Sequence, residues 1–367
     1  MNILIVGAGI VGCAIAYELA ARGARVTIID SRGVGSGATR ASAGILAPYI
    51  EGHLAPLRTL GALSLAMYDD FVDRAAADSG HDVEYQRTGT LQVAVTGDEA
   101  RALCESARTL ADLGVAQRML DGSEARTLEP QLHAGVVAGL LLHEHGYVAA
   151  NALTRALVAA AMKHGASLTT SRALSVRGGD TPEVVTADGT LPADAVVIAA
   201  GSWSGSLAGG RAPERNMAQA IRPIRGQLLR LRLASPPASR VIWGSGCYLV
   251  PRRDGTVLAG ATVEDVGFDE TATASGVQHL LAESTKLLPA LRQAAFEGVR
   301  VGLRPMTEDE LPAIGHSTTD RHVFYASGHY RNGVLLAPLT AALIADLLLD
   351  GRERPELAYV RPERLGL

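Results

Sequence analysis

The first thirty residues, Met1–Asp30, read MNILIVGAGIVGCAIAYELAARGARVTIID, and they decide the fold. Asn2–Val6 is a short uncharged run of mostly aliphatic residues, the texture of a strand buried on both faces. Gly7, Gly9 and Gly12 follow at G-x-G-x-x-G spacing, and Ala14–Ala21 continues with the Ala, Leu and Glu content of a helix. The spacing has a mechanical reason: Gly7 allows the tight turn, Gly9 lets a pyrophosphate approach the backbone, and Gly12 lets the helix pack against the strand. Phosphates held there meet free backbone N–H groups and the positive end of the helix. Gly23 closes the helix and Arg25–Ile29 supplies a second strand. Asp30 stands at its carboxyl end, where an acidic side chain accepts hydrogen bonds from an adenosine ribose and disfavours a 2′-phosphate. A glycine triplet alone suits an ordinary βαβ unit equally well; strand, triplet, helix, strand and acid in that order point to a dinucleotide. Residues 3–16 are also apolar enough for a secretory segment. Against that, no Lys or Arg precedes Arg22, and three glycines weaken a membrane helix.

Working outward, 367 residues suit two interleaved domains rather than one small core. A charged fraction of 20% and an apolar fraction of 47% fit a globular chain, and a net charge of −4 leaves no electrostatic footprint for nucleic acid. Cys13, Cys104 and Cys247 are odd in number and widely spaced, which suggests neither a disulfide framework nor a zinc motif and makes a reducing cytoplasm the default. No histidine pair has metal-ligand spacing, so no metal is expected. The apolar run Val334–Leu349 is short for a bilayer span and carries Pro338 and Asp346, so it reads as a core helix.

Ser31–Leu46, SRGVGSGATRASAGIL, cannot pack a core. Its composition alone reads as a surface loop; its position after the first motif makes it a second anion nest, offering N–H groups and hydroxyls to phosphates. Pro56–Ala76 has helical spacing, Thr88–Val95 alternates like a half-exposed strand, and Asp98–Leu113 reads as a surface helix, with a domain boundary near residue 85. Asp121–Glu129 reads as a short helix or turn. Ala149–His164 is again helical, followed by strand-like Ser167–Val176, Val184–Ala187 and Ala195–Ala199. The last of these runs into Gly201, which lies at a strand's carboxyl end where cofactors bind, or else simply ends another parallel strand. Residues 222–263 change texture: Gln227–Leu233, Cys247–Pro251 and Thr256–Ala259 look antiparallel and make the best floor for a substrate chamber. Gln278–Leu288 is a helix stopped by Pro289. Val323–Ala326, the polar turn Gly328–Asn332 and the helix from Val334 repeat the opening strand–turn–helix arrangement, so two helix amino-termini are expected to converge on one ligand.

Six landmarks in order, GAGIVG with Asp30, GATRASAGIL, VVIAAGSWS, CYLVPR, GLRP with Arg304 and GHYRNGVLLAP with Arg331, resemble the D-amino-acid oxidase family of flavoproteins, and within it the glycine oxidases of thiamine biosynthesis. The resemblance spans nearly the whole chain. It implies an α/β fold with an α+β second domain: a Rossmann-like FAD-binding domain, discontinuous in sequence, over residues 1–85, 145–218 and 298–367, and a smaller antiparallel-sheet substrate domain over 86–144 and 219–297. It implies FAD held non-covalently, because neither the Cys nor the His that related enzymes use for attachment is present. Cofactor contacts carry over to Ile10, Val11, Asp30, Ser31, Ala38, Thr39, Ala43, Gly44, Ile45 and Ala173, beside Gly7, Gly9, Gly12 and Gly201. The turn His329, Tyr330, Arg331, Asn332, Gly333, Val334 and Leu335 would cover the flavin's pyrimidine side.

The same resemblance implies a substrate site. Arg304 would hold an amino acid's α-carboxylate with its planar fork, Tyr248 would donate its hydroxyl to that carboxylate, and Arg331 would lie beside the amino group. Taken singly these residues read as a surface ion pair, a half-buried sheet tyrosine and a helix-start salt bridge; the ordered set of six landmarks turns the reading. The implied reaction is oxidation of glycine, sarcosine or a small D-amino acid, by hydride transfer from Cα to flavin N5, to the 2-oxo acid and ammonia, with molecular oxygen giving hydrogen peroxide. A D-amino-acid dehydrogenase passing electrons to a quinone or another carrier, and a non-catalytic flavin-binding subunit, are the alternatives. The resemblance also implies a homotetramer, which joins the cytoplasmic default read from the cysteines. Three departures from the glycine oxidase pattern, Val263, Tyr330 and the stretch Ala47–Glu51, point to a wider substrate choice, since a pocket discriminates by only about 1–3 kcal/mol per methylene.

Overall fold

A computed structural model describes residues 1–51, 54–207 and 220–367. The domain boundary expected at 218 lies outside the described residues. The opening reads as anticipated: β1 (Asn2–Val6), α1 (Ile10–Ala21) and β2 (Arg25–Asp30) form one unit, with β1 and β2 paired in parallel register from Asn2↔Arg25 to Val6↔Ile29. They sit inside a six-stranded sheet ordered Ala313–His316, Val323–Ser327, Ala195–Ile198, β1, β2, Ser167–Thr170. Every pairing in it is parallel except that of Ala313–His316 at one edge.

Side chains along these strands alternate between two cores, as a pleat dictates. Ile3, Ile5, Val26, Ile28 and Val197 pack against α1, Ala150–Lys163 and Ala337–Asp350. Leu4, Val6, Ile29, Val196 and Ile198 pack on the other face with Val176, Val184 and the carboxyl-terminal Leu365 and Leu367. Both faces are therefore dry, which explains why β1 carries no charge. Each such buried Ile or Val contributes about 1.5–3 kcal/mol relative to exposure.

A second sheet has eight strands in the order Ala295–Thr307, Ile221–Arg232, Thr256–Gly260, Tyr248–Pro251, Val241–Trp243, Thr90–Ala94, Ala138–Leu142, Gln117–Asp121. Its pairings are antiparallel apart from Val241–Trp243 with Thr90–Ala94. One face carries Leu229, Leu231, Val257 and Ala259 into a core with Leu280 and Leu287. The other turns Leu228, Val250 and Leu258 toward Ala43 and Tyr147. Two small three-stranded sheets complete the fold.

Several elements differ from the sequence reading for local reasons. The helical stretch after Pro56 is two helices, Ala55–Ala66 and Tyr68–Ser79, separated at Met67. Ser167–Val176 divides at Ser171–Arg172 into one strand of the parallel sheet and another, Ala173–Arg177, of a small sheet. GLRP lies within a 13-residue strand, so position 298 falls inside an element rather than between two. The closing helix begins at Ala337, and Asn332–Leu336 is a turn held by Leu336 N–H donating to Asn332 O at 2.8 Å. The surface helix Gly97–Asp112 starts with a capping box between Thr96 and Glu99.

Candidate active site

A single cavity of about 880 Å³ runs from the β1–α1 turn to the inner face of the eight-stranded sheet. That size is at the upper end of about 300–1,000 Å³ for small-molecule and cofactor pockets. The three opening glycines serve three different ends. A Cβ on Gly7 (φ +116°) would overlap the carbonyl of Ala199, with the Ala199 C atom at 2.8 Å, and one on Gly12 would overlap the Gly7 carbonyl. A Cβ on Gly9 would meet only Thr39 Oγ1, at 3.6 Å, so its face is open to the cavity. The helix has no side-chain cap of its own; Thr39, from the second glycine-rich segment, accepts from Ile10 N–H at 3.1 Å.

Asp30 lines the cavity and braces the turn. Its Oδ2 accepts from Ala8 N–H at 2.8 Å, and its Oδ1 accepts from Arg32 and Gly33 N–H at 2.7 and 2.9 Å. Ala38–Ala41 forms a 3₁₀ turn, and Gly44 takes φ +73°, where a Cβ would overlap the Val148 carbonyl. Buried Arg252 fixes this segment from the second sheet: Nη2 donates to Ala43 O at 2.7 Å while its guanidinium covers the Tyr147 ring at 4.5 Å. An open glycine at a helix start, aligned N–H groups, a braced carboxylate and a long cavity fit the diphosphate, ribose and ring system of FAD.

At the far end stand Trp243, Tyr248, Val263, Arg304, Tyr330 and Arg331. Trp243 and Tyr248 pack tilted, with ring centroids 5.2 Å apart. The backbone around Arg304 is held from the nucleotide side: Ser202 Oγ donates to Leu303 O at 3.0 Å, and Tyr330 N–H donates to Pro305 O at 2.7 Å. Its guanidinium donates through Nη1 to the carbonyls of Thr262 (3.0 Å) and Arg225 (3.4 Å), and no carboxylate pairs with it among the described residues. A half-buried cation in a cavity with no counter-ion is a ready anion receptor. Tyr330 holds φ +48°, uncommon for a bulky residue, at the turn that closes this end. Arg331 is exposed and donates through Nη2 to the Tyr330 hydroxyl at 3.3 Å.

Charge is sparse here. The only carboxylates among the described lining residues are Asp30 and Glu270, both at the nucleotide end, where Glu270 pairs with Arg32 at 2.9 Å. The one lining histidine, His329, is 3% exposed; burial lowers its pKa to about 3, and Nε2 lies 3.0 Å from Thr340 Oγ1. Burial raises the Cys247 thiol to about 12, with Glu283 adding to the rise. The far end therefore offers a guanidinium and phenols but no poised general base. No group of His, Cys, Asp and Glu able to hold a metal occurs among the described residues.

Gly7, Gly9, Ile10, Val11, Asp30, Ser31, Ala38, Thr39, Ala43, Gly44, Ile45, Ala173, Gly201, Tyr248, Arg304 and His329–Leu335 all line this one cavity. Gly12 lies behind it, in the packing position its spacing suggests. The sequence reading did not include the cavity cluster of Trp203, Phe268, Arg32 and Glu270, in which Arg32 covers the Trp203 ring at 4.7 Å. Phe268 and Glu270 come from the second sheet's side of the chain and had no local signal. Trp203 did have one, an aromatic residue two positions after Gly201.

Comparison with known proteins gives consistent results. The chain is 35% identical to glycine oxidase of Geobacillus kaustophilus (strain HTA426) over 363 residues, 98% of this chain and 94% of that one. The crystal structure of glycine oxidase from Geobacillus kaustophilus superposes with a TM-score of 0.91 at 33% identity, covering 98% of this chain and 97% of that one. Iminodiacetate oxidase from Chelativorans sp. BNC1 superposes at 0.88 with 26% identity, over 98% of each chain. No helix among the described residues is long and apolar enough to cross a membrane. The profile of the FAD dependent oxidoreductase family, DAO, matches residues 2–347, and the chain belongs to that family.

Proposed function

We propose that the chain oxidises glycine or a close relative, sarcosine or a small D-amino acid, to an imine that water hydrolyses to the 2-oxo acid and ammonia, or methylamine in the case of sarcosine. The observation that carries this is Arg304: a cavity guanidinium, anchored on two carbonyls through one nitrogen and with no carboxylate partner among the described residues. Its remaining N–H groups suit a carboxylate fork that lysine could not match. Tyr248, across the chamber floor, adds a hydroxyl to the same carboxylate, and Arg331 and the turn it belongs to lie on the amino side. With no poised base near them, these residues act by orientation: they take the substrate with a neutral amine and fix Cα–H toward the cofactor. FAD, when bound, would supply the acceptor for the hydride from Cα, with oxygen as the final electron acceptor, giving hydrogen peroxide, in the oxidase. Val263 and the similarity to an iminodiacetate oxidase support acceptance of N-substituted glycines beside glycine itself. A cytoplasmic homotetramer is part of the same reading.

The test is a substrate panel. Anaerobic holoprotein mixed with glycine, sarcosine, D-alanine and D-proline should lose its flavin absorbance with at least one of them, and admitting oxygen should return the colour with stoichiometric peroxide. Bleaching without peroxide would establish the dehydrogenase; no bleaching with any of the four would remove the enzyme reading. Arg304→Ala should lower kcat/KM about 100-fold, the equivalent of about 3 kcal/mol for two charge-assisted hydrogen bonds.

A further inference from the structure

The chamber floor contains two glycines whose missing side chains leave room for a neighbouring residue. Gly226 and Gly260 lie on the face of the eight-stranded sheet that also carries Leu228, Val250 and Leu258, and neither has a left-handed φ. A glycine inside a strand is otherwise unfavourable, because it has no side chain to pack.

Register explains both. Gly226 pairs with Gly302 and Ile224 with Arg304, which makes Arg304 the diagonal neighbour of Gly226 on one face. A Cβ at Gly226 would fall 2.5 Å from Arg304 Nη1 and closer still to Cζ and Nη2, and these are its three nearest neighbours. The guanidinium thus lies against the bare backbone at Gly226, where Nη1 reaches the carbonyls of Arg225 and Thr262. Gly260 repeats the arrangement: it pairs directly with Tyr248, and its Cβ would come 2.6 Å from the Tyr248 hydroxyl.

We infer that Gly226 is a positioning residue for substrate recognition, the seat on which the Arg304 guanidinium rests; this builds on the carboxylate role proposed for Arg304. A methyl group there lifts the planar group off both carbonyl acceptors and turns its fork away from the substrate carboxylate. The atoms displaced are the far end of a flexible side chain, so the fold survives while recognition does not.

The experiment compares holoprotein variants G226A, R304A and G226A/R304A, using acetate as a carboxylate probe read through the visible flavin spectrum, alongside KM and kcat for the best substrate of the panel. G226A should weaken acetate about tenfold to hundredfold, the range for a charge-assisted hydrogen bond, with the loss appearing in KM more than in kcat. In the R304A background the same change should cost less than about twofold, because the nearest neighbours of the new methyl are gone. Unaltered acetate binding in G226A, or an equal loss on top of R304A, would overturn the inference. If R304A itself leaves acetate binding intact, the carboxylate reading fails, and this inference with it. Should G226A alone fold poorly or lose flavin, recovery in G226A/R304A supports the inference, and an equally defective double variant overturns it.

Discussion

Alanine placed in turn at Gly7, Gly9 and Gly12 should separate folding from cofactor binding. At Gly12 the new methyl overlaps the Gly7 carbonyl, and at Gly7 it overlaps the Ala199 carbonyl while forcing an L-residue to φ +116°. Backbone cannot yield as a side-chain tip can, so overpacking costs about 1–3 kcal/mol, and the strained φ at Gly7 adds about 1–3 kcal/mol. Gly9 is different: its φ is −71°, and its only neighbour, Thr39 Oγ1 at 3.6 Å, is in ordinary contact. G9A should therefore leave the flavin-stripped protein within about 0.5 kcal/mol of wild type. It should weaken FAD by about ten- to hundredfold, because the methyl holds the diphosphate away from the helix N–H groups. The assay is thermal melting of the stripped protein, where about 1–2 °C corresponds to 1 kcal/mol at this chain length, paired with FAD titration. Wild-type FAD affinity in G9A, or a melting loss as large as that of G12A, would refute the division of labour among the three glycines.

Two further outcomes concern stability. His145 is fully buried with both ring nitrogens unpartnered; burial, assisted by Arg87, lowers its pKa to about 3, as burial does for His329. Both values lie below the unfolded value of about 6.5, so the unfolded chain binds the protons: stability is complete above about pH 6.5 and falls toward pH 3, by up to about 1.4 kcal/mol per pH unit per histidine. H145F should be more stable by about 1 kcal/mol at pH 7 and should shed its share of that slope in denaturant titrations at pH 7 and pH 5; an unchanged slope would refute the assignment. Asp346 is 1% exposed and meets Arg22 at 2.8 Å and Arg352 at 2.6 Å. Burial alone would raise its pKa, but hydrogen bonds from Arg22 and Arg352 outweigh it and hold the carboxyl low. Its contribution is present above the unfolded value of about 3.9 and is lost as pH falls through the folded one. D346N should cost about 2 kcal/mol at pH 7 after allowing for the exposed arginines, and the gap to wild type should close below about pH 4.

Local physics made the nucleotide half legible. A run such as Asn2–Val6 reads as buried on both faces, the G-x-G-x-x-G triplet gains its meaning from the strand, helix, strand and Asp30 in order around it, and Val323–Ser327 followed by a turn and an apolar helix repeats the arrangement. The second sheet was legible only in pieces. Thr90–Ala94 lies parallel to Val241–Trp243, about 150 residues away, and no periodicity records such a pairing. Ser167–Val176 read as one strand because alternation does not show where a chain changes sheets. In the cavity, side chains with distinctive chemistry, Arg304, Tyr248 and Asp30, could be singled out by motif. Gly226 and Gly302 could not, since what matters at those positions is absent volume, and that is defined only once Arg304 and the Ala38–Ala41 turn are in place. Phe268 and Glu270 reach Trp203 and Arg32 from the loop after Thr256–Gly260, an approach that no local pattern marks.

The thiols bear on endurance. An enzyme whose proposed by-product is an oxidant attacks itself first at ionised sulfur, and Cys247 lines the very chamber where that oxidant would arise. Burial keeps Cys247, and still more Cys13 beside the nucleotide turn, protonated throughout the neutral range. Cys104 is exposed on the surface helix Gly97–Asp112, remote in sequence from either glycine-rich segment. Ageing during turnover should therefore begin at the periphery, leaving the working centre chemically quiet.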